Sequence, residues 1–217
     1  MQIPASNDAQ TVTPTSRAER SEALRRRIVA SALETFSTHG SSMSLSTVAQ
    51  GAEISKQLLL YHFKNKATLE EAVLELLISR SHHDMSGFVT ASLISEEAGL
   101  ATLQERFLDD PEAAVQGSRA MLRFLLDGTP EQQLRIHEGT RAWFDGLVEE
   151  LRAGQAEGRI RRGIDAEAVI PLIGNLLLTS MTQLLLQSGW SGRTVDDWQH
   201  VRLVELVRSI RSILLPG

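Results

Sequence analysis

The sequence predicts an all-α protein, an N-terminal three-helix head with a helix-turn-helix followed by a longer helical body, and three observations carry that prediction. Apolar residues recur at three- and four-residue steps along most of the 217 residues. No stretch alternates apolar and polar residues with the period of two that a half-buried strand requires. Several apolar runs open on Ser, Thr, Asn or Asp-Pro and close on Gly, the punctuation of helices.

Composition sets the outer limits. With 42% hydrophobic residues the chain can bury a sizeable core, so disorder of the whole chain is excluded. The net charge of −5 excludes a uniformly basic protein, yet the charge is uneven. Residues 1 to 70 hold eight Lys and Arg against six Asp and Glu, while the remainder holds 14 against 21. A basic-leaning head on an acidic body suits anion binding at one end. The absence of cysteine excludes disulfides, thiolate metal sites and a cysteine nucleophile, and predicts a cytoplasmic home. Residues 1–16 are polar, rich in Ser, Thr and Pro, and read as a disordered tail without the features of a signal peptide.

The first helix is expected over Arg17 to His39, with Leu24, Ile28, Ala32 and Phe36 on one stripe and Gly40 as its stop. Arg17, Arg20 and Arg25 to Arg27 crowd its first half, either as a solvated face or as phosphate contacts. Ser44 can cap a second helix through Val48 and Ala49, and Ser55 a third. Helices of eight or nine residues are too short to stand alone, so both must pack on the first. Two short helices joined by a turn against a longer one form a helix-turn-helix, whose second helix lies in the major groove of DNA.

The side chains of that helix fit the task. Ser55 and the backbone N–H groups it precedes can hold a phosphate, Lys56 can neutralise one, and Gln57 can pair with an adenine edge. Leu58, Leu59 and Leu60 step by about 100° each and cannot share one core. The leucine left over either packs against a flanking helix or meets a thymine methyl, and Leu58 is the one favoured for the groove.

Val48, Ala49, Ala52, Ile54, Ser55, Lys56, Leu59, Phe63, Lys66 and Leu69 together resemble the head pattern of the tetracycline-repressor (TetR) family, I-A-x-x-A-G-V-S followed by K-x-x-L-Y-x-x-F-x-x-K-x-x-L. The resemblance covers about residues 20 to 75. It implies an all-helical DNA-binding head, a divergent ligand-binding body, and a homodimer formed by the two C-terminal helices. Carried over by position, Ser44, Ser46 and Thr47 meet phosphates or base edges. Ser55, Lys56, Gln57 and Leu58 form the reading face, and Tyr61, His62 and Lys66 contact the backbone. The chain departs from the pattern at two places. Glu53 stands where glycine is usual and must accept a left-handed conformation or another turn geometry. Leu60 stands where tyrosine is usual, which displaces the tyrosine to Tyr61.

Beyond Asn65, a cap, a helix should run through Leu69, Val73 and Leu77 toward His82 or further. Gly87 and the stretch from Ser95 to Gly99 are expected breaks. Asp110 and Pro111 open a helix that stops at Gly128, and Thr129 and Pro130 open another that ends near Gly154 or Gly158. From Ala168 to Gly192 no residue is charged. Pro171, Asn175, Thr179 and Gln183 interrupt that run, so it is expected to be a buried or interface helix, from about Asp165 to Gln187, rather than a membrane span. A helix apolar almost all round needs cover on more than one side, which a partner subunit would supply. A final helix is expected from Thr194 to Leu215.

The domain reading is therefore a tail over 1–16, a DNA-binding head over 17–64 and a ligand-binding and dimerisation body over 65–217. Candidate effector contacts in the body are Phe124, His137, Arg141, Trp143, Asn175, Thr179 and Gln183, with Phe88, Phe107 and Met121 as further aromatic or soft walls. Asn175, Thr179 and Gln183 recur at four-residue steps, and a buried polar stripe needs hydrogen-bond partners. No H-E-x-x-H, G-x-S-x-G or phosphate-loop pattern occurs, and adjacent His82 and His83 point about 100° apart on a helix. No enzyme activity, cofactor or metal is expected. The expected function is that of a ligand-responsive homodimeric transcriptional regulator, a repressor bound to a pseudo-palindromic operator in double-stranded DNA and released by a small-molecule effector. An all-helical small-molecule-binding or protein-interaction protein whose head no longer binds DNA is the alternative.

Overall fold

The computed structural model describes residues 16–105, 110–182 and 195–216. Its described residues contain helices and turns and no strand. Helix α1 is Arg17–His39, opened by a reciprocal capping box in which the Glu19 N–H donates to Ser16 Oγ at 3.1 Å and the Ser16 N–H donates to Glu19 Oε2 at 2.8 Å. Gly40 closes it with φ of 57°, a left-handed value that favours glycine.

Helices α2 (Leu45–Gly51) and α3 (Lys56–His62) are seven residues each, shorter than their sequence pattern suggests. Both start where hydroxyl caps were expected: Ser44 Oγ accepts from the Ser46 N–H, and Ser55 Oγ accepts from the Leu58 N–H. Helix α2 packs on α1 and α3, and Leu59 and Phe63 of the α3 segment join the core that also holds Leu69 and Val73 of the helix that follows. The Ser31 hydroxyl of α1 donates to the Val48 carbonyl at 3.0 Å, and a Cβ on Gly51 would sit 2.5 Å from that same hydroxyl oxygen. Glycine at 51 thus permits the close crossing of α1 and α2.

Helix α4, Lys66–Ile94, follows the Asn65–Thr68 capping box. Its 29 residues make a rod of about 43 Å. The expected break at Gly87 does not occur. A helical glycine costs only about 1 kcal/mol relative to alanine, and full burial of the neighbouring Phe88 and Val89 outweighs it. The second expected break does occur, at Ser95, which caps α5 (Glu96–Leu103) by accepting from the Ala98 N–H. Gly99 lies inside α5, where α4 and the last helix press against it.

Helix α6 is Pro111–Asp127, capped by Asp110 and ended by Gly128. Helix α7 is Pro130–Ala156, opened by the Thr129–Gln132 box. Asp165 caps α8, Ala166–Thr182, and the remainder of the uncharged run expected there lies outside the described residues. The final helix, α9, is Val195–Leu214. Arg161 straps its end, donating from the backbone to the Leu214 carbonyl and from Nη2 to that of Ser212, both at 2.8 Å. No described helix is long and apolar enough to cross a membrane.

Among the described residues, two cores form around α4. One joins α1 to α3 with Leu69, Val73, Leu74 and Leu77, and it also takes in Ala120, Met121, Phe124 and Ile136 from α6 and α7. The other gathers Phe88 and Val89 with Leu103, Leu147, Leu151, Ile170, Ile173, Leu203, Val207 and Ile210. The head is therefore packed against the body through α6 and continues into it through α4.

Candidate nucleic-acid interface and effector cleft

The three leucines of α3 divide as their 100° steps demand. Leu59 is fully buried with Phe63, Leu60 is half-buried, and Leu58 is 38% exposed. Ser55, Lys56 and Gln57 are exposed beside Leu58, so four side chains at the amino end of α3 face solvent together. Ser44, Ser46 and Thr47 are exposed at the start of α2. Tyr61 is 80% exposed and meets the half-buried His62 edge-on at 5.5 Å.

Two cations near this face are tied to the protein. Arg25 lies over the Phe63 ring at 4.4 Å. Lys66 is half-buried, its Nζ donates to the Ser41 carbonyl, and it stands 3.8 Å from Glu70. Burial raises the Glu70 carboxyl above its ordinary value, and Lys66 opposes that shift. Arg17, Arg20, Arg26 and Arg27 remain exposed along α1.

The turn between α2 and α3 resolves the question raised by Glu53. Its φ is 54°, the only positive value at a non-glycine among the described residues. The turn closes all the same, with the Glu53 N–H donating to the Gln50 carbonyl at 3.0 Å and the Ile54 N–H to that of Ala49 at 2.9 Å. Left-handed backbone at a side-chain-bearing residue costs about 1 to 2 kcal/mol, and the buried Ala52 and Val48 beside it hold the turn in place.

In the body, α4, α6, α7 and α8 enclose a cleft of about 1270 Å³. His137, Arg141, Trp143, Asn175 and Met121 line it. Phe124 does not. It is 1% exposed in the core shared with the head, stacked on Phe36 with ring centres 4.2 Å apart. Phe88 is buried in the second core. Thr179 is exposed outside the cleft lining, and its hydroxyl is satisfied by the Asn175 carbonyl at 2.7 Å. Gln183 and Phe107 lie outside the described residues. Asn175 and Thr179 therefore form an exposed strip of α8 beside Leu172 and Leu176, which are 65% and 37% exposed.

Other cleft residues carry little sequence signal. Arg80, Ser81 and Met85 come from the middle of α4, and Gly117 and Ser118 from α6. Small residues on one face of an amphipathic helix are the trace they leave, since a cleft needs positions where side chains stop short. Among the described residues no group of His, Asp and Glu side chains could hold a metal ion.

The sequence of residues 28–73 matches the profile of bacterial regulatory proteins of the tetR family. No curated protein matches the chain. Among solved structures, the putative transcriptional regulator SCO4942 from Streptomyces coelicolor is similar with a TM-score of 0.63 at 22% identity, covering 88% of this chain and 98% of its own. A putative regulator from Saccharomonospora viridis, solved with choline, gives 0.64 at 20% identity over 91% of this chain and 100% of its own. A putative TetR-family regulator from a Rhodococcus species gives 0.60 at 21% over 88% and 98%. Helix order, the capped pair α2 and α3 and the matched profile agree: residues 28–73 form a head of the tetR-family type, and the chain shares the fold of these solved structures.

Proposed function

We propose that the protein is a homodimeric repressor that leaves its operator when a small molecule occupies the cleft. The observation that carries this reading is the course of α4, which starts at Lys66 beside the reading helix and, without a break, supplies Leu77, Ser81 and Met85 to the cleft wall. Any effector that favours a new setting of α4 moves the head with it.

In this reading Ser55, Lys56, Gln57 and Leu58 enter the major groove. Ser44, Ser46, Thr47, Tyr61, His62 and Lys66 hold the flanking backbone. Tyr61, the more exposed of the adjacent pair, reaches a phosphate ahead of His62. Lys66 acts at shorter reach because its ammonium group is already held by Ser41. His137, Arg141, Trp143 and Asn175 serve the effector.

The dimer is supported by the exposed apolar side chains of the last two helices, Leu172 and Leu176 on α8 and Ile213 on α9. Two copies double the number of reading helices and match a pseudo-palindromic site. A coupling of about 1 to 3 kcal/mol between effector and operator changes DNA affinity roughly 5- to 150-fold.

Binding of the full chain to DNA from its own upstream region, followed by fluorescence anisotropy, tests the proposal. The expected result is specific binding that collapses when Lys56 and Gln57 are both replaced by alanine. Sedimentation of the same sample should give twice the mass of one chain. Unaltered binding by the double variant would refute the assigned reading face, and loss of DNA binding in the native chain would favour the small-molecule-binding alternative.

A further inference from the structure

The cleft sorts its chemistry by depth. Its floor is built from buried apolar side chains, among them Leu77, Met121, Val148, Ile170 and Met181. The one buried polar residue on the lining, among the described residues, is Ser118 of α6, 8% exposed. Its hydroxyl makes no hydrogen bond among the described residues and is not sealed off by its neighbours. Among the described residues, the charged side chains on the lining are all exposed, at the rim. There Arg152 pairs with Glu167, and Arg141 lies 3.6 Å from Asp145.

From this arrangement we infer that the cleft selects an uncharged, largely apolar molecule carrying a hydroxyl or carbonyl group that pairs with Ser118. The inference rests on the cleft being the effector site. Among the described residues the floor offers an ion no counter-charge for the hydration it would lose, and at the rim Arg141 and Arg152 are already paired with Asp145 and Glu167. A neutral polar group loses less and gains the free Ser118 hydroxyl. Met121 and Met181, with the half-buried Met85, are soft and flexible walls that suit a range of apolar shapes.

Displacement of the neutral fluorophore N-phenyl-1-naphthylamine from the full chain tests this with three probes of one tail length: decan-1-ol, decanoate and decyltrimethylammonium. Decan-1-ol should displace the dye at about ten-fold lower concentration than either ion. Ser118→Ala should weaken decan-1-ol about five-fold and leave the dye within two-fold, because the hydroxyl pair is lost and the apolar floor is kept. Either ion binding as tightly as the alcohol, or an unaltered alcohol affinity in Ser118→Ala, would overturn the inference.

Gly117→Leu fixes the location. A Cβ at 117 meets only Leu77 Cδ2, at 3.8 Å, so the longer side chain enters the cleft and should abolish dye binding. Dye retained by that variant would overturn the placement. A decan-1-ol that binds in the cleft without altering operator affinity would refute the effector reading and leave the ligand chemistry standing.

Discussion

Arg123 on α6 donates from Nη2 to the carbonyl oxygen of Thr38 at 2.8 Å and from Nε to that of Ser37 at 3.0 Å, so a cleft-lining helix of the body caps the last turn of the first helix of the head. The final carbonyls of any helix lack intrahelical partners, and a guanidinium satisfies two of them at once. Phe124 beside it stacks on Phe36 of α1. Helix α6 also contributes Gly117, Ser118, Met121 and Leu125 to the cleft. A ligand that shifts α6 therefore acts on α1 through this contact as well as through α4.

Replacing Arg123 by alanine should lower stability by about 1.5 to 3 kcal/mol, the range for hydrogen bonds made by a charged group. Operator affinity without effector should change little, whereas the loss of affinity caused by effector should shrink. Denaturant unfolding gives the first quantity and anisotropy titrations with and without effector give the second. An undiminished effector response in Arg123→Ala would show that α4 carries the coupling alone.

Glu53→Gly should stabilise the protein by about 1 kcal/mol, because glycine adopts the φ of 54° without the steric cost that glutamate bears. DNA affinity should be retained. Glu53→Val, β-branched and worse still in that region, should destabilise it. Thermal unfolding of the three proteins checks the order, and a Gly variant less stable than the parent would contradict the assigned turn.

Where α4, α5 and α9 meet, the Ser92 hydroxyl is buried without a hydrogen-bond partner. A Cβ on Gly99 would lie 2.6 Å from that oxygen, 3.0 Å from the Ser92 Cα and 3.1 Å from Val207 Cγ1. Gly99→Ala is expected to cost about 1 to 3 kcal/mol by overpacking. Ser92→Ala removes an unpaired buried oxygen and should be neutral or stabilising. Chemical denaturation of both variants decides it.

Glu70 supplies a pH test. Its carboxyl is raised by burial, so the folded state holds a proton more tightly than the unfolded one does. Below its unfolded pKa, near 4.5, the preference is fully expressed, and it is lost as pH rises through the higher folded pKa. The penalty for the charged form is thus present at neutral pH. Glu70→Gln should raise stability at pH 7.5 and remove that part of the gain the native chain shows on mild acidification. Equal pH profiles for the two proteins would contradict the burial argument.

The head was legible in the sequence because its signals are local and redundant. Ser44, Ser55, Asn65 and Gly40 mark helix ends by chemistry that needs no distant partner, and Leu24, Ile28, Ala32 and Phe36 mark the inward stripe of α1 by period alone. Asp110, Thr129 and Asp165 marked the body helices in the same way. What the sequence hid is long-range. Arg123 is 85 residues from Thr38, and no spacing rule joins them. Phe124 looked like a pocket wall because an aromatic on an amphipathic helix can face either a cleft or a neighbouring helix, and here Phe36 claims it. Thr179 looked like a group in need of a partner, but a threonine on a helix can bond the carbonyl four residues back, as this one does. Gly87 misled for a related reason, since burial on either side of it outweighs its weak propensity.

The most direct test of DNA reading by α3 is the salt dependence of operator binding by the native chain and by Lys56→Ala. Each phosphate neutralised contributes about 0.9 to the slope of log affinity against log salt, so losing one contact per subunit of a dimer should reduce the slope by roughly 2. An identical slope in the two proteins would contradict the placement of Lys56 on DNA.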